Sequence, residues 1–239
     1  MKKLKIGILG FGEVGQAIAK FYKKPQIKDL KRTGNFKNLD VLHICIPWSK
    51  GFCNFVRKEI KNSNAWLVII HSTVAPGTTR YLNTLFKGIV VHSPVRGVHP
   101  FLYVGIKTFT KYVGGEDKLT VKQAVRHLKS IGIKAENFGS SISTEIAKLL
   151  DTTYYGLCIA WAGEMEKICN RYGADVHKII YKYNRSYNTG YKKLRKSNVI
   201  RPILFPPEGG IGGHCVIPNA KILKSKFKSK AIDLVLQYE

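Results

Sequence analysis

Cys215 is the residue whose chemistry stands out most clearly in the sequence. It closes a glycine-rich segment, residues 209–215 (GGIGGHC), and a cysteine in such a loop has little reason to serve as a small core residue. The thiolate form of cysteine is a nucleophile. The loop therefore sets Cys215 apart from the other cysteines, which we predict to be core residues, namely Cys45, Cys53, Cys158 and Cys169.

A glycine-rich turn near the start of the chain predicts a nucleotide site. Residues 5–19 (KIGILGFGEVGQAIA) read as an apolar strand, a G-x-G-x-x-G turn and a helix. Gly10 permits the tight turn, Gly12 lets the backbone approach a pyrophosphate, and Gly15 lets helix and strand pack closely. The helix N-terminus offers N–H groups to the anion. The predicted cofactor contacts in this turn are Gly10, Phe11, Gly12, Glu13, Val14 and Gly15.

An acidic residue follows the second predicted strand, residues 26–30, and bears on the choice of dinucleotide. In dinucleotide-binding folds, a carboxylate about 20 residues after the glycines holds the ribose hydroxyls. Here Asp29 lies 14 residues after Gly15. Lys28, Lys31 and Arg32 surround it and could accept a 2′-phosphate. We expect NAD, with NADP left open, and an ordinary surface aspartate remains an alternative reading of Asp29.

The elements that must position these residues alternate between strands and helices. Apolar strands are predicted at residues 40–47, 65–70, 88–92, 111–114 and 133–138, with helices between most of them. This pattern predicts a doubly wound, Rossmann-like parallel α/β sheet over residues 1–140. Ligands of such sheets bind beyond the carboxyl ends of the strands, where Pro47 and Thr73 lie.

A helical domain is predicted over residues 141–239. Apolar residues recur at helical spacing from Ser143 to about residue 172, which predicts one long helix with Glu145 complementing its dipole and Gly173 closing it. A second helix follows Asp175, a good N-cap. A basic, tyrosine-rich segment, the glycine-rich Cys215 loop and a C-terminal helix complete the domain.

Four segments occur in the order seen in one enzyme family. They are residues 71–80 (HSTVAPGTTR), 145–153 (EIAKLLDTT), 162–176 (AGEMEKICNRYGADV) and 209–223 (GGIGGHCVIPNAKIL). Together with the glycine turn they resemble the UDP-glucose/GDP-mannose/UDP-N-acetylmannosamine dehydrogenase family over nearly the whole chain. The chain resembles a short member, because 24 residues follow Cys215 where the family carries a further nucleotide-type, UDP-binding domain.

The resemblance implies an NAD-dependent, four-electron oxidation of a sugar primary alcohol to a carboxylate. In the family pattern, Cys215 would capture the aldehyde as a thiohemiacetal, and Lys148 would stabilise alkoxide and oxyanion charge. Thr73 would help to place the hydrolytic water. A nucleotide sugar is the implied substrate and a homodimer through the long helix the implied assembly. The predicted substrate contacts are Arg96, His99, Thr152, Gly212 and Gly213.

The chain departs from the family pattern at three positions. Asn219 stands where the family has an acidic residue four positions after the cysteine, Val95 replaces the glutamate of a Ser-Pro-Glu motif, and Thr152 replaces an asparagine. Two alternatives are therefore kept. One is a two-electron dehydrogenase of the 3-hydroxyisobutyrate or 6-phosphogluconate type, which needs the lysine but no cysteine. The other is a catalytically inactive nucleotide-binding protein.

Composition narrows the remaining classes. The chain has 44% hydrophobic residues, no apolar run long enough to span a bilayer and an N-terminus that reads as strand rather than signal peptide, so we expect a cytoplasmic globular protein. Five scattered cysteines suggest neither disulfides nor a metal site. The net charge of +25 is interpreted as a solvated lysine surface. Only residues 221–230 form a basic cluster, with Phe227 as its one aromatic residue, so nucleic acid is not an expected partner.

Overall fold

Seven strands form one mostly parallel sheet in the computed structural model, which describes residues 4–32 and 34–239. The order across the sheet is β2-β1-β3-β4-β5-β6-β7. The strands are β1 (Ile6–Leu9), β2 (Gln26–Lys28), β3 (Val41–Ile44), β4 (Leu67–Ile70), β5 (Val90–His92), β6 (Lys111–Gly115) and β7 (Ala135–Gly139). The predicted α/β class with a Rossmann-like sheet is confirmed.

Helices cover both faces of this sheet. They are α1 (Glu13–Ala19), α2 (Phe52–Ser63), α3 (Thr78–Phe86), α4 (Leu102–Thr108) and α5 (Lys118–Ser130). Alternate strand residues face opposite layers. Leu67 and Ile69 of β4 join the core beneath α1, α4 and α5, whereas Val68 and Ile70 join the core beneath α2 and α3. Near-continuous apolar strands are needed because both faces are buried.

Strand β6 runs antiparallel to β5, which the sequence did not predict. The chain leaves β5 at its carboxyl end, forms the short helix α4 and enters β6 from the same edge of the sheet. Helical periodicity does not predict α4, because this helix has only seven residues and contains Gly105. That glycine has a packing role, since a Cβ there would lie 2.6 Å from the Cα of Gly97.

The chain divides into two compact units, one ending at Lys148 and one beginning at Leu149. The boundary lies within α6 (Ser141–Tyr172), a helix of 32 residues. The second unit continues with a π-helical turn (Lys178–Tyr183), α7 (Asn184–Lys193), α8 (Val216–Lys224) and α9 (Lys230–Leu236). Where one C-terminal helix was predicted, two are present. In the part of the chain that the structure describes, no helix is long and apolar enough to cross a membrane.

Two glycines of α6 allow the C-terminal segments to pack closely on it. A Cβ at Gly156 would lie 2.4 Å from Cγ1 of Val216, the first residue of α8. A Cβ at Gly163 would lie 2.3 Å from the ring of Tyr238. Seven residues separate the two glycines, so they lie on the same side of the helix. The start of α8, which follows Cys215, is thus fixed against α6.

Replacing Gly156 with Ala should lower the free energy of unfolding by about 1–3 kcal/mol, because β-branched Val216 cannot move aside without strain. Gly190→Ala is the matched control, since nothing lies within 4 Å of a Cβ at that position in α7. It should raise the free energy of unfolding by about 0.5–1 kcal/mol. Urea denaturation measures both values, and equal stabilisation of the two variants would contradict the proposed packing.

Candidate functional site

The glycine turn has the geometry that a dinucleotide-binding turn requires. Gly10 has φ +91°, and its N–H donates to the carbonyl of Lys28 at 2.8 Å. A Cβ at Gly15 would lie 1.9 Å from the carbonyl oxygen of Gly10, so only glycine lets α1 approach the turn this closely. Gly12 precedes α1, and a Cβ there would meet open space. The backbone at Gly12 is therefore accessible to a ligand.

The other residues of the turn have distinct surroundings. The ring of Phe11 lies under the guanidinium of Arg32, 4.3 Å from ring centre to Cζ. Nδ1 of His99 donates a hydrogen bond to the carboxylate of Glu13. Val14 is partly buried and packs against the core. Only Phe11 and Glu13 therefore present side chains around the turn.

Asp29 and Arg32 lie on one tight turn after β2. The N–H of Asp29 donates to the carbonyl of Arg32 at 3.1 Å, and the N–H of Arg32 donates back at 3.3 Å. The Asp29 carboxylate accepts the N–H of Lys31 at 2.9 Å. A carboxylate suited to ribose hydroxyls and a guanidinium suited to a 2′-phosphate thus occupy the same turn, so the structure leaves the choice of dinucleotide open.

Polar loops follow three neighbouring strands at the carboxyl edge of the sheet. Pro47 follows β3 and is exposed, and Thr73 follows β4 and is half-buried. The hydroxyl of Ser72 donates to the carbonyl of Ile46 at 2.6 Å. Nε2 of His92, at the end of β5, bonds to the carbonyl of Ser72 at 3.0 Å. The loop that carries Thr73 is therefore fixed from both sides.

Glu145 connects this edge to α6 and does not serve the α6 dipole as predicted. Its carboxylate is fully buried and accepts the N–H of Gly77 at 2.7 Å and that of Thr79 at 2.8 Å. It therefore caps the N-terminus of α3. Burial raises the pKa of Glu145, while the bonds from Thr79 and Gly77 act in the opposite direction.

Lys148 lies three residues after Glu145, on the same side of α6. It is half-buried, and its charge contributes to lowering the pKa of both His92 and Lys111. The structure thus brings Lys148 to the carboxyl edge, near the loop that carries Thr73. Thr152, one turn further along α6, is 8% exposed.

The two predicted anion contacts after β5 have partners within the protein. Arg96 donates to the carbonyl of Thr110 at 2.7 Å, and its guanidinium packs on the rings of Phe109 and Tyr112 at 5.4 and 5.1 Å. His99 pairs with Glu13. Arg96 thereby joins the loop after β5 to the start of β6, and His99 joins the same loop to α1. These structural roles were not visible in the sequence.

The Cys215 loop is held from the C-terminal side of the second unit. The N–H of Ile211 donates to the carbonyl of Tyr238 at 2.6 Å. Gly212 and Gly213 are exposed, and Gly213 has φ +87°. Cys215 is half-buried directly before α8. Asn219 lies one turn later, 6% exposed, and its N–H donates to the Cys215 carbonyl at 3.1 Å.

A buried chain of histidines and one tyrosine was not predicted. The hydroxyl of Tyr22 lies 2.8 Å from Nε2 of His43 and 2.8 Å from Nε2 of His127. Nδ1 of His43 lies 2.8 Å from Nε2 of His71, and Nδ1 of His71 lies 3.1 Å from the carbonyl of Ser93. Four side chains thus link α5 to the carboxyl end of β5.

The carbonyl of Ser93 determines which nitrogen of each histidine in this hydrogen-bonded series carries the proton. A carbonyl only accepts, so Nδ1 of His71 carries a proton and, in the neutral ring, its Nε2 accepts one from Nδ1 of His43. Nε2 of His43 then accepts the Tyr22 hydroxyl, whose oxygen accepts the N–H of His127. Burial lowers the pKa of His43 and His71 well below the ordinary value and that of His127 to about 4. The three imidazole rings are therefore neutral, and each hydrogen bond is donated in the direction from His127 towards the carbonyl of Ser93.

Lys111 shares the end of this chain. Its ammonium group is buried and donates to the carbonyls of Ser93 and of Pro94, the latter at 3.1 Å. Burial lowers its pKa to about 7. The available sequence signal was a histidine within or directly after three successive apolar strands, His43, His71 and His92, where strongly polar side chains need partners.

Comparison with known proteins finds a family match for the C-terminal part of the chain. Residues 142–238 match the description "UDP-glucose/GDP-mannose dehydrogenase family, central domain". This part of the chain is similar to the central domain of that family. The range of the match contains Lys148, Thr152, Cys215 and Asn219.

Full-length relatives of the dehydrogenase family extend the likeness. UDP-N-acetyl-D-mannosamine dehydrogenase of Methanocaldococcus jannaschii is 25% identical over 226 residues, covering 85% of this chain and 50% of the relative. The chain thus spans half the length of that relative. The structure of UDP-D-ManNAc dehydrogenase from Pyrococcus horikoshii matches with a TM-score of 0.74 at 20% identity, covering 98% of this chain and 68% of that protein.

A dehydrogenase named for a different substrate shares the fold. The 3-hydroxyisobutyrate dehydrogenase of Mycobacterium tuberculosis matches with a TM-score of 0.70 at 14% identity. The match covers 99% of this chain and 92% of that protein. The fold of the whole chain is therefore shared by proteins named for different substrates.

The buried histidines should make the protein sensitive to acid. In the unfolded chain they bind protons near pH 6.5, whereas His127 does so at about pH 4 and His92 at about pH 3 when folded. The contribution of these histidines to the free energy of unfolding should be present in full above pH 6.5 and should be lost as the pH drops. The loss should be about 2 kcal/mol for each such histidine between pH 7 and 5.

Urea denaturation at fixed pH values measures this dependence. His127→Gln removes one titrating group and should reduce the slope between pH 6.5 and 5 by about one proton, that is, by about 1.4 kcal/mol per pH unit. An identical slope for the variant and the wild type would show that His127 is not held neutral by burial.

Proposed function

We propose that this chain is the cofactor-binding and catalytic part of a nicotinamide-dependent dehydrogenase that oxidises a primary alcohol of a nucleotide sugar. The observation that carries the proposal is the family match over residues 142–238, which contains both Lys148 and Cys215. The open backbone at Gly12 supports the dinucleotide half of the proposal. The two relatives named for UDP-N-acetylmannosamine support a UDP-linked amino sugar as the substrate class.

Lys148, Cys215 and Thr73 would each serve a different step of the proposed reaction. Bound NAD(P) would accept a hydride in each of the two oxidations. Lys148 would stabilise the alkoxide that forms as the alcohol loses its proton. The thiolate of Cys215 would add to the aldehyde, and the resulting thiohemiacetal would lose the second hydride to give a thioester. Water, placed with the help of Thr73, would cleave the thioester to a carboxylate and free the thiol.

Asn219 and Val95 bear on the last step. An amide cannot serve as a general base, and Val95 carries no ionisable group. Hydrolysis of the thioester would therefore proceed without a carboxylate at either position. Among the steps proposed here, this is the one that the residue types of the chain support least, so the acyl intermediate should be the species that accumulates.

The second candidate is a two-electron dehydrogenase that uses Lys148 alone. The observation in its favour is the match to 3-hydroxyisobutyrate dehydrogenase, which extends over 92% of that protein. In this case the aldehyde or ketone would be released, and Cys215 would have no part in the reaction.

Cys215→Ala should separate the two candidates. Fluorescence titration with NADH, and with NADPH in parallel, should give the same cofactor affinity for the wild type and the variant. With UDP-N-acetylmannosamine and NAD, the variant should lose at least about a hundredfold in carboxylate formation, because the covalent intermediate cannot form. Cys53→Ala, a half-buried cysteine in α2, is the matched control and should retain turnover.

Two results would count against this assignment. Full carboxylate formation by Cys215→Ala would exclude the thiohemiacetal route and leave the two-electron candidate. No binding of either dinucleotide by the wild type at millimolar concentration would exclude both.

We further propose a homodimer formed through α6. Large apolar side chains that are at least half-exposed recur on one face of the helix, within about 40° of one another. They are Leu150 (53% exposed), Tyr154 (64%), Trp161 (54%), Ile168 (50%) and Tyr172 (77%). A continuous exposed apolar stripe of this length is typical of a protein–protein interface.

Trp161→Glu should convert the dimer to a monomer, because it places a charge in the middle of the stripe. Tyr155→Glu, at an equally exposed position beside the stripe, is the matched control and should remain dimeric. Size-exclusion chromatography with light scattering measures the mass against the 26.9 kDa of one chain. A monomeric wild type would refute the dimer.

A further inference from the structure

A segment of the second unit carries many cations and no carboxylate side chain. We define the cationic helix as residues 178–196, which comprise the π-helical turn, α7 and the three residues after it. Between Asp175 and Glu208 the sequence contains no carboxylate side chain. The cations of the cationic helix are Lys178, Lys182, Arg185, Lys192, Lys193, Arg195 and Lys196.

This segment is attached to the unit on one side only. Ile180 is 1% exposed and anchors the π-helical turn, whereas α7 contains no buried residue. Lys182, Arg185 and Lys193 recur at helical spacing and lie on one side of the segment. With Ser186 and Thr189 they line an open groove of about 600 Å³. The groove is therefore walled by donors and cations.

Aromatic rings are interleaved with these cations. The guanidinium of Arg185 lies 5.6 Å from the ring centre of Tyr181, and its NH1 donates to the Tyr181 hydroxyl at 2.7 Å. The rings of Tyr187 and Tyr191 lie 4.5 Å apart. Tyr183 is 70% exposed. Tyr181, Tyr187 and Tyr191 are half-buried, so the segment presents one exposed ring, that of Tyr183, beside positive charge.

Little negative charge within the protein balances this surface. Among the residues that the structure describes, Lys178 is the one cation of the cationic helix with a carboxylate partner, Asp175 at 3.4 Å. The basic cluster expected from the sequence, residues 221–230, differs in this respect, because Lys224 pairs with Asp233 and Lys221 with Glu239. Residues 221–230 therefore have fewer cations available for an external anion than the cationic helix has.

We propose that the cationic helix is a binding surface for single-stranded nucleic acid, independent of the dehydrogenase function. Phosphates would lie along the stripe of Lys182, Arg185 and Lys193, and a base would stack on the exposed ring of Tyr183. Proteins that bind single-stranded nucleic acid without preference for its sequence combine a cationic groove with aromatic rings on which bases stack.

Single-stranded nucleic acid fits this surface better than an anionic membrane does. A membrane-surface helix places a continuous apolar face of residues such as Leu, Phe and Trp in the lipid. The apolar anchor of this segment, Ile180, is instead buried in the protein. Its exposed aromatic residue is a tyrosine between cations, which suits a base next to a phosphate.

The test uses the full chain and a fluorescein-labelled 20-nucleotide poly(U) RNA, followed by fluorescence anisotropy at 50–300 mM KCl. The logarithm of the association constant should fall linearly with log salt, with a slope of about −2 or steeper if three or more phosphates are contacted. Lys182→Glu/Arg185→Glu/Lys193→Glu should weaken binding at least about tenfold and flatten the slope.

Matched variants separate a local surface from general positive charge. Lys226→Glu/Lys228→Glu/Lys230→Glu makes the same change in net charge in the other basic segment and should weaken binding less than about threefold. Tyr183→Ala leaves the charge unchanged and should weaken binding about fivefold or more without altering the salt slope. Circular dichroism and NADH titration report whether each variant keeps its fold.

Three results would overturn the proposal. One is equal loss of binding in the two triple variants. Another is no change on Tyr183→Ala. The third is tighter binding to vesicles of phosphatidylserine and phosphatidylcholine than to the RNA, which would assign the surface to a membrane. None of these results bears on cofactor binding or turnover.

Discussion

The buried carboxylate of Glu145 is the interaction on which the arrangement of the first unit depends most directly. It extends from α6 and accepts two backbone N–H groups at the start of α3, Gly77 and Thr79. A carboxylate with no water around it must satisfy its charge within the protein. Because α3 follows the Thr73 loop and Lys148 lies one helical turn after Glu145, this contact sets Thr73 and Lys148 against the same edge of the sheet.

The histidine chain imposes a second constraint on that edge. Tyr22, His43 and His71 connect the layer of α5 to the carbonyl of Ser93, which Lys111 also contacts. Each ring must stay neutral, since a proton added there would place a further charge beside the buried ammonium of Lys111. The edge that would receive the ligand is thus supported by polar groups that have a single satisfied arrangement.

The second unit holds the Cys215 loop by close packing rather than by charge. Gly156 and Gly163 let α8 and Tyr238 approach α6, and Tyr238 in turn holds the backbone of Ile211 within the glycine-rich loop. Cys215 directly precedes α8, and the first residue of α8, Val216, packs against Gly156 of α6. In the proposed reaction, this rigidity would hold the thiol in one position while acyl groups form and leave.

The sequence by itself determined the strand-turn-helix around Gly10, the alternating strands and helices and the long α6. These follow from local rules, namely periodicity, glycine spacing and motifs. Tertiary structure decided the antiparallel β6, the short α4, the partners of Arg96 and His99, the capping role of Glu145 and the histidine chain. Each of these depends on contacts between residues that are distant along the chain, and the sequence around a residue does not record those contacts.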